Sequence, residues 1–167
     1  FAQRGIPVWY CLYSYDNSAD DNQLFRIGKA NDEFVITDKK AMVDLCNQLI
    51  ELKKKNKNIL MTTKLLETMR DLYSEDKRTW KCEALNQFLV VDHLGRIGGC
   101  HNRGFTASIF DLPKKWNSPE FKKLKETYHE CTECTYLCYI LYSIHGSPSG
   151  YISLAKDQWR NAKFLFK

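Results

Sequence analysis

Five of the seven cysteines fall in two groups within 57 positions: Cys82 with Cys100, and Cys131 with Cys134 and Cys138. A chain spaced this way is most constrained where it must bring sulfur atoms together. Cys-x2-Cys sets two thiols on one turn, and a distant pair completes a set of four around a metal centre. On the residues alone, zinc and iron–sulfur chemistry are equally supported. Disulfide bridges and inert core thiols are the remaining alternatives. The odd cysteine count, with no charged-then-apolar leader at the start, favours a reducing cytoplasm over a secreted disulfide scaffold. Phe1 in place of Met is expected to mark a processed chain or a piece of a longer one.

At 167 residues the chain fits one ordinary domain, or one with an appendage. Apolar residues make up 44% and charged residues 27%, a globular balance that needs no cross-links. The longest apolar run, residues 136–142, is far short of the roughly 20 residues of a membrane span, so no membrane partner is expected. The net charge of +5 is spread over scattered lysines. Lys53, Lys54 and Lys55 read as a solvated helix end complementing the dipole, so nucleic acid is not an expected partner.

The first half alternates strand and helix signals. Residues 6–13 read as a buried strand, 16–22 as a loop and 34–36 as a short strand. Thr37 is expected to cap a helix with Met42, Leu45, Cys46, Leu49, Ile50 and Leu52 on its apolar stripe, ended by residues 55–58. Residues 59–61 read as a strand, and Thr62 or Thr63 as the cap of a second helix carrying Leu65, Leu66, Met69, Leu72 and Tyr73. This is an α/β pattern suited to parallel strands with crossover helices. Cys11 and Cys46 are expected in the core.

The second half changes character. Residues 88–91 and 96–97 flank a hairpin turn at 92–95, with Gly95 free to take positive φ. Residues 101–115 read as loop. Asn117 or Ser118 caps a third helix, with Pro119 first and Phe121, Leu124 and Tyr128 as its stripe. Residues 146–150 break the chain before a short amphipathic tail with Leu154, Trp159, Phe164 and Phe166. The hairpin puts Cys82 and Cys100 at one end of a ribbon, and the helix delivers Cys131 and Cys134. Gly98 and Gly99 leave backbone room for a bulky group beside Cys100, and Cys138 is a spare or substitute ligand. His93 and His129 are expected at the surface. His101 follows Cys100 directly; bonding a ligating sulfur or replacing a ligand is its less favoured reading beside a bland one, and Trp80 is expected to pack and shield the site from water. Glu83 and Asp92 make no acid/base pair.

The string Cys82-x12-Gly95-x4-Cys100, then Trp116-Asn117-Ser118-Pro119-Glu120-Phe121, then Cys131-x2-Cys134, resembles the auxiliary-cluster (SPASM or shorter twitch) region at the C-terminus of radical S-adenosylmethionine enzymes. The likeness covers residues 80–142. Less specifically, the order of elements in residues 1–73 resembles the end of that family's partial (β/α) barrel. The resemblance implies three parts: the end of a partial barrel (1–79), a hairpin-and-helix iron–sulfur domain (80–145) and a C-terminal tail (146–167). It implies one [4Fe–4S] cluster on Cys82, Cys100, Cys131 and Cys134, with Cys138 able to replace one of the last two. The family's Cys-x3-Cys-x2-Cys motif is absent. Binding and cleavage of S-adenosylmethionine are therefore assigned only to a complete enzyme, an oxidoreductase-type radical catalyst whose upstream barrel is the implied partner. The substrate, a peptide or small metabolite, is unreadable. The alternative is a structural zinc-binding interaction module.

Overall fold

The structure is a computed structural model that describes residues 1–13, 15–16, 28–29, 32–75, 78–100, 103–134 and 136–165. It is a mixed chain. Among the described residues there are six α-helices, a two-stranded parallel pair and a three-stranded antiparallel sheet. The chain divides into two compact units. None of the described helices is long and apolar enough to cross a membrane.

The first unit gathers Phe1–Leu12, Ile36–Trp80 and Ile144–Lys167. Val8 pairs in parallel with Ile59: the Val8 N–H donates to the Asn58 carbonyl at 2.8 Å, and the Leu60 N–H to the Val8 carbonyl at 3.0 Å. The two extended segments are joined through helix α1 (Lys39–Lys55), the α/β connection the sequence predicts. The pairing is a single bridge, however, and Trp9 and Cys11 are exposed, so residues 6–13 form no buried strand. The expected strand at 34–36 is replaced by a turn over residues 32–35, closed by the Val35 N–H on the Asp32 carbonyl. Among the described residues these three pair with no strand.

Asp38, not Thr37, caps α1, accepting the Ala41 N–H at 2.8 Å. Asn56 closes its other end on the Leu52 carbonyl. Met42, Cys46 and Leu49 are buried, while Leu45 and Leu52 face out, so the apolar stripe is narrower than its pattern. Burial pushes the Cys46 thiol up to about 11, against a lowering by Arg70. Helix α2 (Thr63–Glu75) starts beyond Thr62, whose hydroxyl accepts the Leu65 N–H. Thr62 also meets His145 Nε2 at 2.8 Å, and His145 Nδ1 lies 2.9 Å from the Gly150 carbonyl. A carbonyl only accepts, so Nδ1 carries the proton and Nε2 accepts from Thr62.

The C-terminal segment, expected as a short amphipathic tail, is an 18-residue helix, α6 (Pro148–Leu165), on which Leu154 is half-buried. Trp159 is exposed, and Asp157 and Asn161, one turn apart, are buried. Phe166 and the side chain of Phe164 lie outside the described residues. Lys53, expected in solvent, is buried and pairs with Asp157 at 3.1 Å while donating to the Ile59 carbonyl at 3.1 Å. Asp157 also accepts the Thr63 N–H at 2.8 Å, capping α2 from across the unit, and Asn161 reaches the Leu60 carbonyl.

The second unit gathers Tyr13–Val35 and Lys81–Ser143. In it β1 (Tyr15–Asp16) runs parallel to β2 (Gly28–Lys29), and the loop expected at 16–22 lies beyond Asp16 outside the described residues. Strands β3 (Val90–Val91) and β4 (Arg96–Gly98) form the expected hairpin, with Val91 opposite Ile97 and Gly95 at φ +72. A third strand, β5 (Ala107–Ser108), pairs antiparallel with β4, and α3 (Leu112–Lys115) follows, so the stretch expected as loop carries a short strand and one helical turn within its turns. Helix α4 (Pro119–His129) is capped by Ser118 with Pro119 at its first position, as the sequence predicts. Helix α5 (Leu137–His145) follows the second cysteine group.

Breaking a buried ion pair from one side leaves the other charge unpaired. Asp157→Ala is expected to destabilise the protein by about 3–5 kcal/mol, read as a fall in urea midpoint. A surface substitution such as Lys54→Ala should move it by less than about 0.5 kcal/mol.

Candidate metal centre

The core of the second unit is built around the thiols. Cys82, Ala84, Leu85, Ile97, Phe121 and Tyr128 are buried together, with Cys100 and Trp116 packed against them. Cys82 is fixed by the turn that follows it. The Asn86 and Gln87 N–H groups donate to the Glu83 carbonyl, and the Leu85 N–H to the Phe88 carbonyl at 2.7 Å. Leu85 takes φ +62 there, a left-handed conformation that costs a leucine about 1–3 kcal/mol. Its complete burial holds it in place.

Cys100 is fixed by the hairpin. Asp92 organises the turn: one carboxylate oxygen accepts the Leu94 and Arg96 N–H groups at 3.0 and 2.7 Å, and the other takes Arg96 Nε at 2.6 Å. Burial raises the Asp92 pKa, but the bonds from Arg96 and Leu94 outweigh it and hold the carboxyl below its ordinary range. Strand β4 then runs through Gly98 and Gly99 into Cys100. A Cβ at Gly98 would lie 2.5 Å from the Gly104 carbonyl oxygen, and one at Gly99 would lie 2.4 Å from the Tyr128 ring. The two glycines therefore admit a neighbouring backbone and a tyrosine, not the bulky group the sequence suggested. The Gly99 N–H donates to the Tyr128 hydroxyl at 3.2 Å.

That contact ties the hairpin to α4. Ser118 accepts the Phe121 N–H, and Trp116 packs on Phe121 at 5.5 Å with Lys125 over its face at 3.6 Å. The helix ends at His129, and the Cys131 N–H closes back on the Tyr128 carbonyl at 3.0 Å. His129 is half-buried, 3.6 Å from Glu83, where the sequence suggested open solvent.

Cys82, Cys100, Cys131 and Cys134 line one cavity. Its volume is about 20 Å³, within a concavity of about 360 Å³ partly open to solvent. Cys138, on α5, is exposed and does not line it. His101 lies outside the described residues, and Trp80 groups with the first unit beneath the Arg78 guanidinium. All seven cysteines are present as thiols. As placed, no three His, Cys, Asp or Glu side chains among the described residues form a group that would hold one metal ion.

Three aromatic residues that the spacing did not single out for the site, Tyr128, Tyr136 and Tyr139, wall the cavity, with Tyr139 stacked on Phe88 at 5.1 Å. Burial first, then the charges of Cys138, Cys100 and Cys134, drive the Tyr139 pKa up, so it stays a neutral phenol. Arg103 and Glu133 complete the wall. Burial pulls the Arg103 pKa down, yet a hydrogen bond to Cys131 and the charges of Cys131, Cys100 and Glu133 raise it overall. The only sequence signal for Arg103 is a cation three residues after a candidate ligand.

The donor set suits a metal that prefers thiolate. Room is the constraint, since 20 Å³ holds about one water. All four cysteines sit on residues outside helix and strand, next to the turn, the hairpin and the end of α4 that position them.

Gly99→Ala is expected to cost about 1–3 kcal/mol through its clash with Tyr128, measured by chemical denaturation. Asp92 is ionised in the fold, and its contribution is complete above the ordinary carboxylate value of about 4. It is lost as pH falls through the depressed folded value. The stability advantage of wild type over Asp92→Asn at pH 7 should therefore shrink in urea titrations below about pH 4. No protein-family model, curated protein or solved structure matches this chain.

Proposed function

We propose that this chain is the C-terminal portion of a radical S-adenosylmethionine enzyme whose second unit binds an auxiliary [4Fe–4S] cluster through Cys82, Cys100, Cys131 and Cys134. The observation that carries this reading is that four thiols spread over 53 positions line one cavity. The order of hairpin, Ser-Pro-capped helix and Cys-x2-Cys supports the SPASM or twitch likeness. The parallel bridge across α1 supports a barrel segment in the first unit. The exposed position of Cys138 supports leaving it out of the ligand set.

When bound, such a cluster supplies a one-electron redox centre. The protein's part is burial, orientation and charge. Cys82 anchors the site from a rigid turn. Tyr128, Tyr136 and Tyr139 limit water at the sulfurs, and Arg103 offsets thiolate charge. In this reading, cleavage of S-adenosylmethionine belongs to an upstream barrel portion and the substrate is a peptide or small metabolite.

The test is anaerobic reconstitution with ferrous iron and sulfide. The expected result is broad absorbance near ~400 nm with about four irons per chain. Serine at Cys82, Cys100, Cys131 or Cys134 should lower iron content, and Cys138→Ser should retain it. A colourless protein that takes one zinc per chain would replace this reading with the structural zinc module.

A further inference from the structure

We propose that Arg103 is a charge-compensating positioning residue whose guanidinium bonds to the Cys131 sulfur and raises the reduction potential of the cluster held by the four thiols. This rests on the cluster reading above. Among the described residues lining the cavity, Arg103 alone is cationic. Its guanidinium carbon lies 5.8 Å from the centroid of the Tyr128 ring, at the outer range of a cation–π contact with the ring that packs against Gly99. Arg103 shares the cavity wall with Cys131, Cys100 and Glu133, which sets its guanidinium beside two candidate ligands. Glu133 opposes part of its field and lies on the solvent side.

A cluster on four thiolates is anionic, and reduction adds one electron with no bond made or broken. A fixed cation and an N–H···S bond stabilise the more charged, reduced form, because hydrogen bonds to the sulfurs and local charge set such potentials. Arg103 is exposed at the cavity rim, so replacing it leaves the buried core of the unit intact.

The experiment is a dithionite titration of the reconstituted chain, followed by electron paramagnetic resonance, for wild type, Arg103→Gln and Arg103→Lys. Arg103→Gln is expected to disfavour the reduced form about tenfold, a shift of 59 mV to lower potential for one electron. Arg103→Lys is expected to recover most of it. Equal midpoints for wild type and Arg103→Gln would overturn the assignment. A shift that Arg103→Lys does not recover would also overturn it, tracing the effect to packing on Tyr128 and not to charge. Iron retained by Arg103→Lys but lost from Arg103→Gln supports it, and iron lost from both overturns it. A wild-type chain that takes up no iron removes the cluster reading, and this assignment with it.

Discussion

The contact between Tyr128 and Gly99 holds the second unit together. Tyr128 is on the last turns of α4, and Gly99 is the residue before Cys100. The ring lies where a Cβ would be, and its hydroxyl accepts the Gly99 N–H. Two sequence regions 29 positions apart are thereby locked at van der Waals distance. Burying a side chain of this size contributes about 1.5–3 kcal/mol, but the geometric effect matters more. Cys100 follows directly on one side of the lock and Cys131 on the other. Phe121 packs into the same cluster as Cys82 and Ile97, so the contact works together with the core around it.

Much of this frame was legible because it is local. Ser118-Pro119 before an apolar stripe and Gly95 in a four-residue turn fix their conformations within a few residues. Where the reading failed, the partner was remote. Lys53 sits in a lysine run at a helix end, and nothing nearby distinguishes it from Lys54. Its carboxylate partner is 104 positions further on. The burial of Asp157 and Asn161 on α6 was not legible for the same reason: their partners, Thr63, Lys53 and the Leu60 carbonyl, are remote in sequence. Residues 34–36 fail differently, since a strand is defined by its neighbour and among the described residues they pair with none.

The sulfurs of the candidate site could be read from spacing, and the groups around them could not. Cysteine is rare enough for a cluster of five to stand out, whereas a tyrosine on a helix stripe reads as core whatever it covers. Tyr128 does both. The glycines show the reverse error: their need for space was legible, but not what fills it.

Four thiolates do not choose their metal by chemistry alone. Zinc takes all four at about 2.3 Å and so draws the sulfurs to within roughly 4 Å of each other. A cubane takes one sulfur at each of four irons and holds them further apart. Selection therefore passes to the spacing that the cavity wall gives the four sulfurs, and Arg103 lines the same wall. Beside zinc, which has no redox chemistry, such a cation would only balance charge. Beside a cluster it would also set how readily an electron is accepted, and that is a reason for placing it beside the ligands and not elsewhere on the rim.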